Sequence, residues 1–131
     1  MVPRIPLAAS TRENQGVQTI DWNLVLDREQ LENVTLEDPQ LMRDILHALI
    51  DDTSRQIGLM ELAIREEDAP RCARLAHYSK GACTNCGANA AAAALLEIER
   101  RASAREFGRC RESLLRLLAE VDRLRAAAAD V

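Results

Sequence analysis

Apolar side chains recur at helical spacing along most of the chain from residue 39 onward. The first stripe begins at Pro39 and predicts a long helix that ends near Glu66. Its apolar positions are Leu41, Ile45, Leu49, Ile57, Met60 and Ile64. Three later stretches keep the same period, so most of the chain is predicted to be helical.

Capping residues mark where the first helices begin. Asp27 with Gln30 three residues later resembles a capping box before a short helix over about 28–34. Asp38 stands before Pro39, and Asp68 stands shortly before Pro70. An N-cap acceptor followed by an early proline is typical of a helix start. These residues predict one short helix and the beginnings of two longer ones.

The last two helices are bounded by small and polar residues. Gly87 is the predicted stop of the helix that begins after Asp68. An alanine-rich segment then predicts a helix over about 88–101. Ser103 with Glu106 resembles a second capping box, which predicts that the final helix begins there and runs to about residue 128.

The helices therefore predict an all-α fold. Short connections place neighbouring helices antiparallel, so we expect an antiparallel up-down four-helix bundle with a short additional N-terminal helix. We expect one bundle domain over residues 19–131. Residues 1–18 mix proline and polar residues without a period and are predicted to form a flexible N-terminal arm.

Charge and hydropathy exclude two classes of partner. The formal net charge of −4 argues against general nucleic-acid binding, which depends on basic groups that neutralise phosphates. No apolar run approaches the ~20 residues that a membrane helix needs. The first residues also make a poor signal peptide, because their apolar stretch is short and broken by prolines. A cytoplasmic location is the resulting expectation.

One face of the third predicted helix carries the most suggestive chemistry. It lies opposite an inner face of small residues and should be exposed to solvent. Its members are Ala73, Arg74, His77, Lys80, Gly81 and Thr84. A neutral imidazole nitrogen is a good nucleophile near pH 7. Lys80, one turn further on, could offset the charge of a phosphoryl group, and Gly81 leaves room for another protein to approach.

The surrounding sequence resembles the signature of histidine-containing phosphotransfer (HPt) domains, commonly written A-H-x-L-K-G-x-x-x-x-x-G-A. The matching positions are Ala76, His77, Lys80, Gly81, Gly87 and Ala88. The later acidic position of the family falls on Glu99. The resemblance implies that His77 is the phosphoacceptor and Lys80 the cation that stabilises the phosphate. It also gives Gly81 the role of allowing close approach, and the exposed face around His77 then predicts receiver docking on Arg74, Gly81 and Thr84.

The same resemblance implies the partners and cofactors. The chain would accept a phosphoryl group from the aspartyl phosphate of a response-regulator receiver domain, or work with a hybrid histidine kinase, and pass the group on. Nothing in the sequence resembles an ATP-binding motif, so it would be a phosphocarrier rather than an enzyme. Mg²⁺ would be held by the receiver, so no metal or cofactor of its own is expected. We expect a monomer.

Two residues depart from the family pattern. Ser79 and Cys86 stand where leucine is usual, which indicates a thinner bundle centre. Glu99 stands where some members have a glutamine that contacts phosphate, so no phosphate contact is assigned to it.

Other interpretations of the chain remain open. It could be a non-catalytic helical adaptor that docks a signalling partner. Cys83 and Cys86 could form a redox pair or half of a zinc site with Cys72 and Cys110, although buried reduced thiols are the simpler interpretation. His47 lacks the neighbours of His77 and is expected to be structural or exposed. Several arginines could form a basic rim around His77 or a solvated helix face: Arg71, Arg74, Arg100, Arg101 and Arg105.

Overall fold

The computed structural model describes residues 19–131, and the predicted arm over residues 1–18 lies outside them. The described chain folds into six helices, and none of its residues forms a strand. The helices are α1 (Trp22–Val25), α2 (Arg28–Val34), α3 (Pro39–Arg65), α4 (Ala69–Asn85), α5 (Asn89–Ser103) and α6 (Phe107–Ala128). The all-α prediction is confirmed. Over residues 19–131, no helix combines the length and apolar character needed to cross a membrane.

The four long helices surround one core. α3 packs against α4 and α6, and α5 packs against the same two helices. Small side chains are buried on both α4 and α5, among them Ala76 and Ser79 on α4 and Ala91 and Ala94 on α5. Because these side chains are short, the two helix backbones can approach closely. This close contact positions the side chains that face outward along the edge between α4 and α5.

The predicted N-caps of α3 and α4 are present. The Asp38 carboxylate accepts hydrogen bonds from the backbone N–H groups of Gln40 at 3.0 Å and Leu41 at 3.2 Å. The Asp68 carboxylate accepts from the N–H of Arg71 at 3.2 Å. Each bond satisfies a donor that has no partner within the helix. α3 ends one residue before the predicted position.

The predicted capping box at Ser103 is wrong. Ser103 is the last residue of α5, and Glu106 occupies the N-cap of α6 without a side-chain hydrogen bond. The backbone explains the difference. Arg105 adopts a positive φ of 58°, and the N–H of Glu106 donates to the carbonyl of Arg101 at 2.8 Å. This turn satisfies the end of α5 through the main chain, so Ser103 remains within the helix.

The capping box at Asp27 forms only in part. Asp27 accepts from the N–H of Gln30 at 3.2 Å, as predicted. Its own N–H instead donates to the carbonyl of Gly87 at 2.8 Å, and Gln30 Nε2 donates to the carbonyl of Asn85 at 3.3 Å. These two bonds attach α2 to the turn between α4 and α5.

The sequence interpretation missed one short helix. Trp22–Val25 forms a single helical turn capped by the Asp21 carboxylate, and the sequence pattern does not predict it. Val25 and Leu26 are buried in the core. Their burial attaches the helical turn to the bundle.

Candidate functional site

His77 lies in the middle of α4, at the edge that faces α5. Its neighbours Ala76 and Ser79 are buried in the core, whereas the His77 side chain is 66% exposed. The burial of those two neighbours fixes the rotation of α4. The imidazole is therefore held at the surface by the packing of the helix, as the sequence pattern predicted.

A single carboxylate from α5 contacts both His77 and Lys80. Glu99 Oε2 lies 3.0 Å from His77 Nδ1, and Glu99 Oε1 accepts a hydrogen bond from Lys80 Nζ at 3.2 Å. Glu99 is half-buried, so this bridge is partly shielded from solvent. The sequence interpretation identified the position of Glu99 but not these contacts. Only the packing of α5 on α4 brings the three side chains together.

The Glu99 contact fixes the hydrogen-bonding role of each imidazole nitrogen. An ionised carboxylate can only accept a hydrogen bond, so Nδ1 of His77 must donate to it. In the neutral imidazole the other nitrogen, Nε2, then carries no hydrogen and keeps its lone pair. The contact with Glu99 therefore favours the tautomer of His77 in which Nε2 is the unprotonated nitrogen.

Replacing Glu99 with alanine should weaken the preference of the neutral His77 ring for the tautomer with its hydrogen on Nδ1. The variant loses the acceptor that holds the hydrogen on Nδ1, so the neutral His77 ring should populate both tautomers. An exposed hydrogen bond of this kind contributes roughly 0.5–1.5 kcal/mol, which corresponds to about a two- to tenfold change in the tautomer ratio. The ¹⁵N chemical shifts of the ring would measure the ratio.

The control for this measurement is Glu112→Ala, which removes an exposed carboxylate from another helix. It should leave the His77 ring shifts unchanged. Equal ring shifts in Glu99→Ala and the wild-type chain would show that Glu99 does not select the tautomer.

The three other residues predicted to dock a receiver lie on the same helix face. Arg74, Gly81 and Thr84 are all exposed. A Cβ atom added at Gly81 would meet no heavy atom within 4 Å, so no packing within the chain requires glycine there. Tyr78 is also exposed and shares a shallow hollow between α3 and α4 with Arg74 and Gln56. The face next to His77 thus offers a cation, an aromatic ring and a site without side-chain bulk.

The five arginines considered for a basic rim have different roles. Arg74, Arg100 and Arg105 are exposed. Arg71 lies 3.7 Å from a Glu66 carboxylate oxygen. Arg101 is half-buried and donates to Ser113 Oγ at 3.1 Å and to Glu97 at 3.3 Å. Arg101 therefore holds α5 against α6 rather than contributing to a solvent-exposed rim.

Glu97 and Glu99 stabilise α5 from two sides. Glu97 Oε1 accepts hydrogen bonds from Ser113 Oγ at 3.0 Å and from Arg116 at 3.2 Å, both on α6. Glu99, two residues later, faces α4. Because successive polar contacts tie α5 to both neighbours, its rotation is fixed. This rotation places the Glu99 carboxylate beside His77.

The four cysteines are free thiols, and three of them are buried. Burial raises the pKa of the Cys72 thiol to about 12 and that of the Cys83 thiol to about 11. Cys86 is half-buried, and burial raises its pKa too. Within residues 19–131, no group of three or more histidine, cysteine or acidic side chains is arranged to hold a metal ion. The pKa shifts oppose the thiolate form that redox chemistry and zinc binding need.

Stability should therefore fall at high pH. Each thiol has an ordinary pKa near 9.0 in the unfolded chain and a higher one in the folded chain. Above pH 9 the unfolded chain releases thiol protons that the native chain retains, so the stabilisation present below pH 9 is lost. From pH 8.5 to 10.5 the two thiols should together lower the free energy of unfolding by about 3–4 kcal/mol.

Urea unfolding in the presence of a reductant measures this loss. The control is the Cys72→Ala, Cys83→Ala double variant, which should lose much less stability over the same pH range. An equal loss in the two proteins would show that these thiols are not the cause.

Comparison with known families identifies the domain to which this helix face belongs. The sequence model of the Hpt domain matches residues 44–127, which is more than half of the chain and includes His77, Lys80 and Glu99. Searches of curated proteins and of solved structures found no significant match. Hpt domains serve in histidine phosphotransfer within two-component phosphorelays, where they interact with receiver domains and histidine kinases. The chain belongs to the Hpt domain family.

Proposed function

We propose that this chain accepts a phosphoryl group on Nε2 of His77 from the aspartyl phosphate of a receiver domain and passes it to another receiver. The observation that carries the proposal is the bridge from Glu99 to both His77 Nδ1 and Lys80 Nζ. This bridge leaves Nε2 of an exposed histidine as a nucleophile and keeps a cation one helical turn away.

The transfer step requires only groups that the two proteins supply. The Nε2 lone pair attacks phosphorus, a nitrogen–phosphorus bond forms, and the bond from phosphorus to the aspartyl oxygen breaks. The electron pair of that bond leaves with the aspartate of the receiver. The hydrogen on Nδ1 stays in place, and Glu99 stabilises the positive charge that develops on the ring. The same steps in reverse return the phosphoryl group to an aspartate.

Lys80 would change partners during the transfer. In the unphosphorylated chain its ammonium group donates to Glu99. A phosphoryl group on Nε2 brings two negative charges within one helical turn of Lys80. Charge-assisted bonds to phosphate are stronger than neutral ones, so the ammonium group should then bind a phosphoryl oxygen. Lys80 thereby stabilises the phosphorylated state without taking part in bond breaking.

The receiver would dock on the face formed by Arg74, Gly81 and Thr84. All three residues are exposed beside His77, and Gly81 allows the phosphorylated loop to approach the helix backbone. Mg²⁺ would be held by the carboxylates of the receiver, and the chain would act as a phosphocarrier without an ATP site. The cytoplasmic location stays a prediction.

The proposed fold of the domain that presents the docking face is an antiparallel up-down bundle over residues 19–131. The connections 66–68, 86–88 and 104–106 are short, and each long helix packs on the helix that follows it. A short connection between two packed helices reverses the chain direction.

The experiment that tests the proposal follows the transfer in both directions. Receiver domains are phosphorylated with a radiolabelled acyl phosphate, whose carboxylate is the leaving group, then purified and mixed with the full chain and Mg²⁺. The label should move to the chain, and the labelled chain should then phosphorylate a fresh receiver. A chain that gains no label from any of a broad panel of receivers would contradict the proposal.

A further inference from the structure

The outward face of α6 carries exposed leucines that neither the core nor the His77 site uses. Leu115 is 69% exposed and Leu118 is 43% exposed. They lie one helical turn apart and line a groove between α6 and α3 together with Ile64 and Arg111. Adjacent exposed leucines beside a groove mark a surface that favours a partner.

This surface lies away from the proposed phosphotransfer site. His77 and Glu99 join α4 to α5, whereas the leucine groove lies between α3 and α6. The long helices contact one another in the order α3, α4, α5, α6 and back to α3. The α4–α5 contact and the α3–α6 contact therefore lie on opposite sides of the bundle. A partner bound at the groove would therefore leave the His77 face accessible.

Four residues on this face of α6 form a pattern with internal symmetry. Arg111, Leu115, Leu118 and Asp122 follow one another at spacings of four, three and four residues, so all four lie along one line of the helix. The spacing is the same when it is read from either end. The two leucines occupy the middle, and the two ends carry opposite charges. Such a line is complementary to an antiparallel copy of itself.

We propose that this face joins two copies of the chain in a dimer with twofold symmetry. In antiparallel pairing, Leu115 of each copy packs against Leu118 of the other copy. Arg111 of each copy lies opposite Asp122 of the other copy. A twofold interface uses the same surface on both subunits, so every contact occurs twice. The symmetry of the line therefore doubles each favourable interaction.

The charges around the line support this pairing. Within residues 19–131, the Arg111 guanidinium has no carboxylate at ion-pair distance. Arg65 of α3 lines the same groove, so Arg65 and Arg111 outweigh the carboxylate of Glu61 there. The Asp122 side chain is 78% exposed, and only its Oδ1 atom accepts from Arg125, at 3.1 Å. Its other oxygen is available to a cation of the second copy.

The dimer should be weak and reversible. Two leucines per copy form a small apolar centre, and stable interfaces bury roughly 1,200–2,000 Å². We therefore expect a dissociation constant in the micromolar range or above. This inference replaces the expectation of a monomer and does not depend on phosphotransfer.

Sedimentation equilibrium of the full chain over a range of concentrations tests the pairing. The wild-type chain should show a reversible monomer–dimer equilibrium. Arg111→Asp and Asp122→Arg should each weaken the dimer about tenfold, since each places like charges together twice. The double variant reverses both charges and should return to within about threefold of the wild-type constant. A double variant as weak as either single variant, or a wild-type chain monomeric at every concentration, would overturn the proposal.

A matched pair of leucine variants locates the interface independently of charge. Leu115→Glu should abolish the dimer, because it places carboxylates in the apolar centre. Leu36→Glu alters another highly exposed leucine, on the connection between α2 and α3, and should leave the dimer unchanged. Both positions are exposed, so the folded chain should tolerate either change, and circular dichroism checks this. Equal weakening by both substitutions would show that the α6 face is not the interface.

Discussion

His77→Gln is expected to abolish acceptance of acid-labile phosphate from a phosphorylated receiver. Glutamine is polar and of similar length, but its amide nitrogen has no available lone pair with which to attack phosphorus. Loss of the nucleophile should slow transfer by at least about a thousandfold. The measurement is retention of label by the chain after gel separation at neutral pH, compared with loss of that label after acid treatment.

The matched control is His47→Gln. His47 is the second histidine of the chain, it is exposed on α3, and it contacts neither Glu99 nor Lys80. This variant should accept phosphate at the wild-type rate. If His77→Gln still gained acid-labile phosphate, the relay assignment at this residue would be wrong. If neither the wild-type chain nor the variant gained label while both bound the receiver, the adaptor hypothesis would be favoured.

Gly87→Ala is expected to cause the largest loss of stability among single small substitutions in the signature. Gly87 has a φ of 85°, and an added Cβ would lie 2.7 Å from the carbonyl oxygen of Asp27. The left-handed conformation alone costs a non-glycine residue about 1–2 kcal/mol. The clash would also disturb the 2.8 Å bond from Asp27 N–H to the Gly87 carbonyl. Together these effects should cost about 2–4 kcal/mol, measured by urea unfolding.

Gly81→Ala is the control within the same signature. Gly81 lies inside α4, and an added Cβ would meet no heavy atom within 4 Å. Alanine is the better helix former, so this variant should gain roughly 0.5–1 kcal/mol of stability. The expected contrast assigns Gly87 a role in the fold and Gly81 a role in docking. Equal stability changes in the two variants would contradict these roles.

Local chemistry in the sequence predicted most of the fold. Apolar spacing predicted the four long helices, and Asp38 and Asp68 marked the starts of α3 and α4 as the structure has them. Ser103 misled the prediction because the turn at Arg105 satisfies the end of α5 through backbone hydrogen bonds. The pattern of side chains in the sequence does not show whether backbone hydrogen bonds or a side-chain cap will satisfy a helix end. The single turn at Trp22 was missed because four residues carry too little periodicity to indicate a helix.

The candidate site was predicted less completely than the fold. Helical periodicity predicted the face of α4 that carries His77, because the residues that share a face depend only on their spacing within that helix. The bridge through Glu99 depends on how α5 is placed beside α4 and on the small residues between them. No spacing within a single helix contains that information. The exposure of Leu115 and Leu118 on α6 did not follow from the sequence, and only the structure shows it.

The central claim is that Nε2 of His77 is the atom that carries the phosphoryl group. Its most direct test is NMR of the ¹⁵N-labelled chain after incubation with a phosphorylated receiver and Mg²⁺. Coupling between ³¹P and the ring should identify Nε2 of His77 as the phosphorylated atom, with the hydrogen retained on Nδ1. Phosphate on Nδ1, on another residue, or on no residue while the receiver keeps its phosphoryl group would contradict the account.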